Sequence, residues 1–288
     1  MHSSTELGRL LLARYGVLQA LTQTPQTKRD LVDDLSIPRS TLDDIIRDLS
    51  EAELVTFTKG QWYTTIIGQC MVQVHEEYLA QLTSLSDISS ITDVLDSKSP
   101  LDSAFLIGAD LNDSRGPVPD EVMHVLLEAA TTATRFRIFT PSAISAYVKP
   151  FYDRVTNGDD SCVEVVVSST LFEQLYSLHP NLMSEAVDNP CISFFSASIP
   201  FSFGLWIADN AHAGVIIFEE GGISGILVND SVEALNWAEN QYEQIRKGTP
   251  VLLSSAVIQT ILRRQIRLDL SSAKISESHG TGRTHGDL

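Results

Sequence analysis

The sequence is poor in cysteine, lysine and long apolar runs, and each shortage argues against a class of protein. Its three cysteines (Cys70, Cys162 and Cys191) are widely spaced and odd in number, so they form neither a disulfide framework nor a zinc-ligand pattern. A reducing, cytoplasmic setting is the expectation that follows. No run of 18 apolar residues exists, so no membrane span is expected. The opening MHSSTELGRLLLARYG lacks the basic n-region, uninterrupted apolar core and cleavage site of a secretory leader. Catalytic signatures are missing too. There is no P-loop, no dinucleotide fingerprint and no G-x-S-x-G elbow. His75, His124, His179 and His212 show no ligand spacing to each other or to cysteine, and His2, His279 and His285 lie near the ends. The expectation is a protein that is no enzyme and carries no metal and no cofactor.

Positive charge is the other shortage. The chain of 288 residues has six lysines and a net charge of −17. Residues 1–83 hold seven Lys/Arg against eleven Asp/Glu, and the remainder thirteen against twenty-six. So acidic a surface repels polyanions at long range. Two readings stay open: the chain avoids polyanions, or it works where salt shortens the Debye length to about 3 Å, as at 1 M. An acidic, lysine-poor composition suits a salt-loving host, and an ordinary acidic protein is the plainer alternative.

What is present is a globular composition, 43% hydrophobic, in a chain long enough for two domains. Leu7, Leu10, Leu11, Leu18 and Leu21 share a helical face and predict a helix over 7–22. Thr27 is placed to cap a second helix, with Asp30 in the capping-box position. Ser36-Ile37-Pro38 reads as a turn. A third helix follows to about Ala52, with Leu42, Ile45, Ile46 and Leu49 as its apolar stripe. The β-prone runs 54–57 and 62–65 flank a hairpin-length turn, Thr58-Lys59-Gly60-Gln61. That order is the layout of a winged helix-turn-helix.

With the apolar stripe inward, Ser40, Asp44 and Arg47 face outward and Arg39 and Thr41 flank them at the helix start. A helix of this kind fits the major groove of duplex DNA. Arg39 and Arg47 suit guanine or phosphate, and Ser40 and Thr41 suit phosphate oxygens. Lys28 and Arg29 sit where the second helix begins and its backbone N–H groups face an incoming anion. Lys59 and Gln61 at the ribbon tip suit the minor groove or its phosphates. Asp43, Asp44 and Asp48 oppose this picture, although Asp44 is placed to pair with Arg47. A winged helix that contacts protein rather than DNA is the alternative.

A further helical pattern fills 68–85, and the Ser/Asp-rich 84–103 reads as a connector. Residues 110–119 read as a loop. Beyond it helices (119–133, 142–157, 169–187, 231–247) alternate with strands (135–140, 162–168, 191–197), and three strand-like runs cluster at 204–208, 213–219 and 225–228. Alternation predicts an α/β domain, and the late cluster an antiparallel part of a mixed sheet. The expected class is therefore α+β and α/β: a winged helix-turn-helix domain (1–83), a linker (84–103) and an α/β domain with a mixed sheet (104–248), to which the resemblance given below assigns a regulatory role. An amphipathic C-terminal helix (249–270) and a disordered tail (271–288) would follow. Gly221, Gly222 and Gly225 read as hairpin glycines, Glu219-Glu220 as a solvated turn, and Asn229-Asp230-Ser231 as a helix cap. Phe194, Phe195, Phe201, Phe203 and Trp206 either fill the core or line a pocket. Thr140-Pro141-Ser142 and Ser168-Ser169-Thr170, at strand-to-helix junctions, are weak candidates to offer donors to an anion; any effector-binding residues are otherwise unassigned.

Two segments also carry a family resemblance. KRDLVDDLSIPRSTLDDIIRDLSEAELV resembles the winged-helix reader of archaeal transcriptional regulators. FGLWIADNAHAGVIIFEEGGISGILVNDSVEALNWAE resembles their C-terminal domain, most specifically in its Phe-Gly-Leu … Gly-Gly … Gly-Ile-Leu-Val-Asn-Asp-Ser run. The resemblance spans about residues 7–248 and is to haloarchaeal helix-turn-helix regulators with a methanogenesis-regulatory-protein type effector domain. It implies sequence-specific control of transcription on double-stranded DNA by a homodimer, and it favours the high-salt reading of the charge. A small-molecule effector in the second domain is a possibility it leaves open. Helix 68–85 and the stretch 250–268 are the candidate dimer surfaces. The chain after residue 248 departs from the family's pattern. The competing hypothesis is a protein-interaction adaptor that keeps a winged helix without DNA affinity.

Overall fold

The computed structural model describes residues 3–93, 95–96, 99–116, 119–157, 161–220, 222–247 and 251–252. The chain divides into two compact units, residues 1–86 and 87–288.

In the first unit α1 (Ser4–Gln23) starts on a capping box between Ser3 and Glu6. Helix α2 (Lys28–Leu35) starts on a second box: the Thr27 hydroxyl accepts from the Asp30 backbone N–H, and the Asp30 carboxylate accepts from the Thr27 backbone. Ser36 ends α2 in the left-handed region, at φ 52°. After Ile37-Pro38 the chain re-enters helix as α3 (Arg39–Glu51), with Leu42, Ile45, Ile46 and Leu49 buried as the periodicity requires. These four pack with Leu18, Leu21 and Leu31 into one core. β1 (Val55–Thr58) and β2 (Gln61–Thr64) pair antiparallel around Lys59-Gly60. Both turn residues have positive φ (52° and 85°), as a two-residue hairpin turn with the strands' own twist demands, and glycine meets that demand at the second position. The winged helix-turn-helix layout expected from the sequence is the one observed.

Helix α4 (Ile66–Thr92) runs further than the expected 68–85 and takes in the first nine residues read as connector. Serine and aspartate there are weak helix formers, but Ile88 and Ile91 are buried, and burial outweighs propensity.

The second unit is an eight-stranded mixed sheet with helices on both faces. A short α5 (Ser103–Leu106) and β3 (Asp110–Asp113) come first, then a 3-10 turn (Pro119–Glu121) leading into α6 (Val122–Thr132). β4 (Arg135–Phe139), α7 (Ser145–Val155), β5 (Cys162–Val167), α8 (Ser169–Leu178), α9 (Pro180–Asp188) and β6 (Ile192–Ser196) follow. A meander of β7 (Phe203–Ala208), β8 (His212–Glu219) and β9 (Gly222–Asn229) precedes α10 (Val232–Lys247) and β10 (Val251–Leu252). Strand order is β10-β6-β5-β4-β7-β8-β9-β3, with β4, β5 and β6 parallel and every other pairing antiparallel. Two successive crossovers stepping the same way along the sheet place their helices on the same face. Packing agrees: Phe136, Ile138, Val163 and Trp206 join the core under α6, α7 and α9. Phe203, of opposite parity to Trp206, meets Trp237 of α10 on the other face.

Trp206 sets a requirement on its neighbour. A Cβ at residue 214 would stand 2.1 Å from the indole, so glycine alone lets β8 run beneath this ring.

Three further expectations change. Asp110–Asp113, read as loop, is the edge strand β3; Asp and Asn disfavour strands, but β9 supplies the partner and Ser114 bonds the Ser224 carbonyl. The helix read over 169–187 is two, broken before Pro180, which cannot continue α8 but suits the first position of α9. Val251–Leu252, read as the start of a helix, pairs with β6. The rest of the expected helix (249–270) and the tail (271–288) lie outside the described residues.

Candidate nucleic-acid interface

The polar side of α3 is open. Arg39, Ser40, Thr41, Asp44 and Arg47 are all exposed, because the four apolar residues of the helix turn the opposite side into the core. Its charges are largely paired. Arg47 reaches Asp44 at 2.8 Å and lies 3.9 Å from Asp48, whose other oxygen binds Arg14 at 3.0 Å. Lys28 of α2 binds Asp43, and its ammonium lies 5.8 Å from the centre of the Trp62 ring. The Asp43 carboxyl is held below the usual carboxylate range chiefly by the Lys28 hydrogen bond, with Arg39 adding to the effect. Asp30 is likewise lowered, first by the Thr27 hydroxyl and then by the Thr27 backbone N–H. Each aspartate that argued against a polyanion therefore has a cation of its own fold beside it.

Arg29 and Arg39 are exposed, and among the described residues neither has a carboxylate within ion-pair distance. Lys59 sits exposed at the ribbon turn. Gln61 is half-buried: its amide donates to the Pro25 carbonyl at 3.4 Å, and its oxygen accepts from Tyr63. The structure thus gathers Lys28, Arg39, Ser40, Thr41 and Arg47 around α2 and α3, and leaves Gln61 tied to its own unit. Commitment of Lys28 to Asp43 was invisible in sequence, since fifteen residues separate them.

In the second unit the junctions considered for an anion are occupied. Thr140 donates its hydroxyl to the Ser142 carbonyl. Ser168 accepts from the Leu171 N–H as the cap of α8. Ser231 caps α10 by accepting from the Ala234 N–H at 3.2 Å, and Asn229 donates to the carbonyls of Phe105 and Ile107. Of the candidate aromatics, Phe203 and Trp206 are fully buried, Phe201 stacks on Phe203 at 5.1 Å, and Phe195 lies under Arg246. Phe194 borders a cavity.

One juxtaposition went unread: Ser145 Oγ lies 2.7 Å from His179 Nε2. Among the described residues no carboxylate is bonded to the other ring nitrogen, so the pair lacks the orienting group of a hydrolytic triad. No group of three His, Cys, Asp or Glu is placed to hold a metal ion among the described residues, and no helix there is long and apolar enough to cross a membrane.

Residues 119–248 match the family described as the methanogenesis regulatory protein FilR1, middle domain. Residues 4–86 match the family described as the HVO_A0261 N-terminal domain. The first family is described as part of a regulatory protein, which supports a regulatory role. No curated protein matches the chain. Among solved structures the archaeal chromatin protein TrmBL2, described as showing a novel mode of DNA binding, is 10% identical over 85% of this chain and 98% of its own, with a TM-score of 0.35. The S-adenosylmethionine-dependent methyltransferase SibL in its apo form is 13% identical over 67% of this chain and 61% of its own, at 0.23. Overlaps this loose carry no argument about fold or activity.

Proposed function

We propose that this chain is a sequence-specific DNA-binding transcriptional regulator of a salt-loving archaeon. It acts in the cytoplasm as a homodimer, with residues 1–83 reading DNA and residues 104–248 holding a small-molecule effector. The observation that carries the reading is the outer side of α3. Arg39, Ser40, Thr41 and Arg47 stand exposed on a helix whose other side is buried, and Lys59 is exposed at the ribbon turn. Arg39 and Arg47 contact base edges or phosphate, Ser40, Thr41, Lys28, Arg29 and Lys59 contact the backbone, and Gln61 steadies the ribbon base. High salt screens the acidic surroundings to contact range while leaving groove contacts intact. Dimerisation is supported by α4, where Ile67, Val74, Tyr78 and Leu82 lie along one face and are 45–58% exposed. Twofold protein symmetry then matches paired half-sites.

The test is the double variant Arg39→Ala/Arg47→Ala in the full chain, with retention of promoter fragments measured in molar potassium chloride. Two groove contacts worth about 1 kcal/mol or more each predict a fall of at least about thirtyfold in affinity, with unchanged melting. An unmodified chain that retains no fragment in preference to random DNA would establish the adaptor reading instead. Full retention by the double variant would move the reading surface off α3.

A further inference from the structure

The two faces of the large sheet are covered differently. Under α10 the rings of Phe139, Phe203 and Trp237 fill the space. Under α7, α8 and α9 a cavity of about 140 Å³ remains. Its floor is one row across the three parallel strands, Ile138, Val165 and Phe194, which are register partners. Phe151, Phe172 and Met183 stand among its walls. Val165 and Phe194 lie on inner strands yet are only half-buried, because the helices above leave them uncovered.

The lining is almost wholly apolar, and two of its few polar side chains are engaged elsewhere. Thr140 bonds the Ser142 carbonyl, and the Tyr147 hydroxyl bonds the Asp120 carbonyl at 3.3 Å. The Ser145–His179 hydrogen bond ties the start of α7 to the α8–α9 junction. A carboxylate or phosphate entering here would shed its hydration against walls that are almost wholly apolar. Apolar cavities of about this size admit benzene.

We propose that this cavity is a binding site for an uncharged, apolar small molecule: an aromatic ring or branched alkyl group of about six to ten carbons. This deepens, and as regulation rests on, the effector reading of the second unit. The ligand covers Val165 and Phe194 and supplies the dispersion contacts that the empty space lacks.

The experiment titrates the full chain with toluene, and with benzoate as its charged counterpart, following side-chain methyl resonances by NMR and melting temperature. Toluene should give saturable shifts confined to methyls bordering the cavity, including Ile138, Val165 and Met183, and should raise the melting temperature. Benzoate should do neither. Val165→Phe, which fills the space from the floor, and Ala186→Leu, which fills it from α9, should each abolish the response. Unsaturable or dispersed shifts in the unmodified chain, an equal response to benzoate, or binding retained in both filled variants would overturn the proposal. Promoter retention with and without toluene separates site from regulation. Saturable cavity binding that leaves retention unchanged keeps the site and ends the effector reading.

Discussion

On α3 the Arg47 side chain is 61% exposed and meets Asp44, itself 58% exposed, across one turn of the helix. In the large sheet Arg137 is 3% exposed, and its two terminal nitrogens grip Glu239 at 2.7 and 2.6 Å. Asn210 accepts a third hydrogen bond from it, and the Tyr242 ring lies 5.3 Å away. Burial pushes the Tyr242 hydroxyl far above its ordinary value, reinforced by Glu164. The exposed pair is a loose arrangement in water, worth about 0–1 kcal/mol and open to exchange with an incoming phosphate. The interior guanidinium has no water to fall back on, so its partner cannot be removed cheaply. The same chemistry gives the first unit a surface that can change partners and the second a lock between sheet and helix.

The contrast is tested hardest where the interior tolerates least. Gly214→Ala drives a methyl into the Trp206 indole, and calorimetry should record a loss of about 3 kcal/mol or more in the second unit. An unchanged melting temperature would mean that the ring has somewhere to go. Next is Glu239→Ala, which leaves the buried Arg137 with Asn210 alone; Glu239 is itself 42% exposed, so the cost should be about 2 kcal/mol. Its counterpart Asp44→Ala should stay within about 0.5 kcal/mol. Equal losses for the two would erase the distinction drawn here.

Acid sharpens it further. Arg137 holds the Glu239 carboxyl below its ordinary value, so the pair's contribution is fully present above about pH 4.5 and is lost as pH falls through the lowered value. Asp30 and Asp43 are lowered in the same direction but lie at the surface. Acid titration followed by near-ultraviolet dichroism should therefore loosen the environment of Trp206 and Trp237 before that of Trp62. Selective substitution of Trp62 separates the signals. The smallest effect is expected from Asp44→Asn, which frees Arg47 and removes one negative charge. DNA retention at low salt should rise severalfold, and the gain should vanish in molar salt as screening takes over.

Legibility in the sequence followed the range of the interactions. The Thr27–Asp30 box, the α3 stripe and the Lys59-Gly60 turn each lie within a dozen residues, and all three were readable. The break before Pro180 has a local cause in proline itself, while the 169–187 reading ran one helix across it. β3 had no local signal, since its strand character comes from β9, more than a hundred residues later. Within the candidate interface, exposure of Arg39, Ser40, Thr41 and Arg47 followed from periodicity. The Lys28–Asp43 tie and the spent amide of Gln61 did not, because they join different elements.

Periodicity and capping chemistry by themselves determined that there would be a helix-turn-helix with a ribbon, which side of its third helix would meet solvent, and that a mixed sheet would follow. These are contests between apolar burial and local backbone preference, settled within a few turns of chain. Tertiary packing alone decided which charges neutralise each other, that Arg137 would be enclosed, and that one face of the sheet would fill while the other kept a cavity. Those outcomes depend on the space left between elements brought together from distant parts of the chain. A residue's type states what it would accept as a neighbour; the fold determines which neighbour arrives.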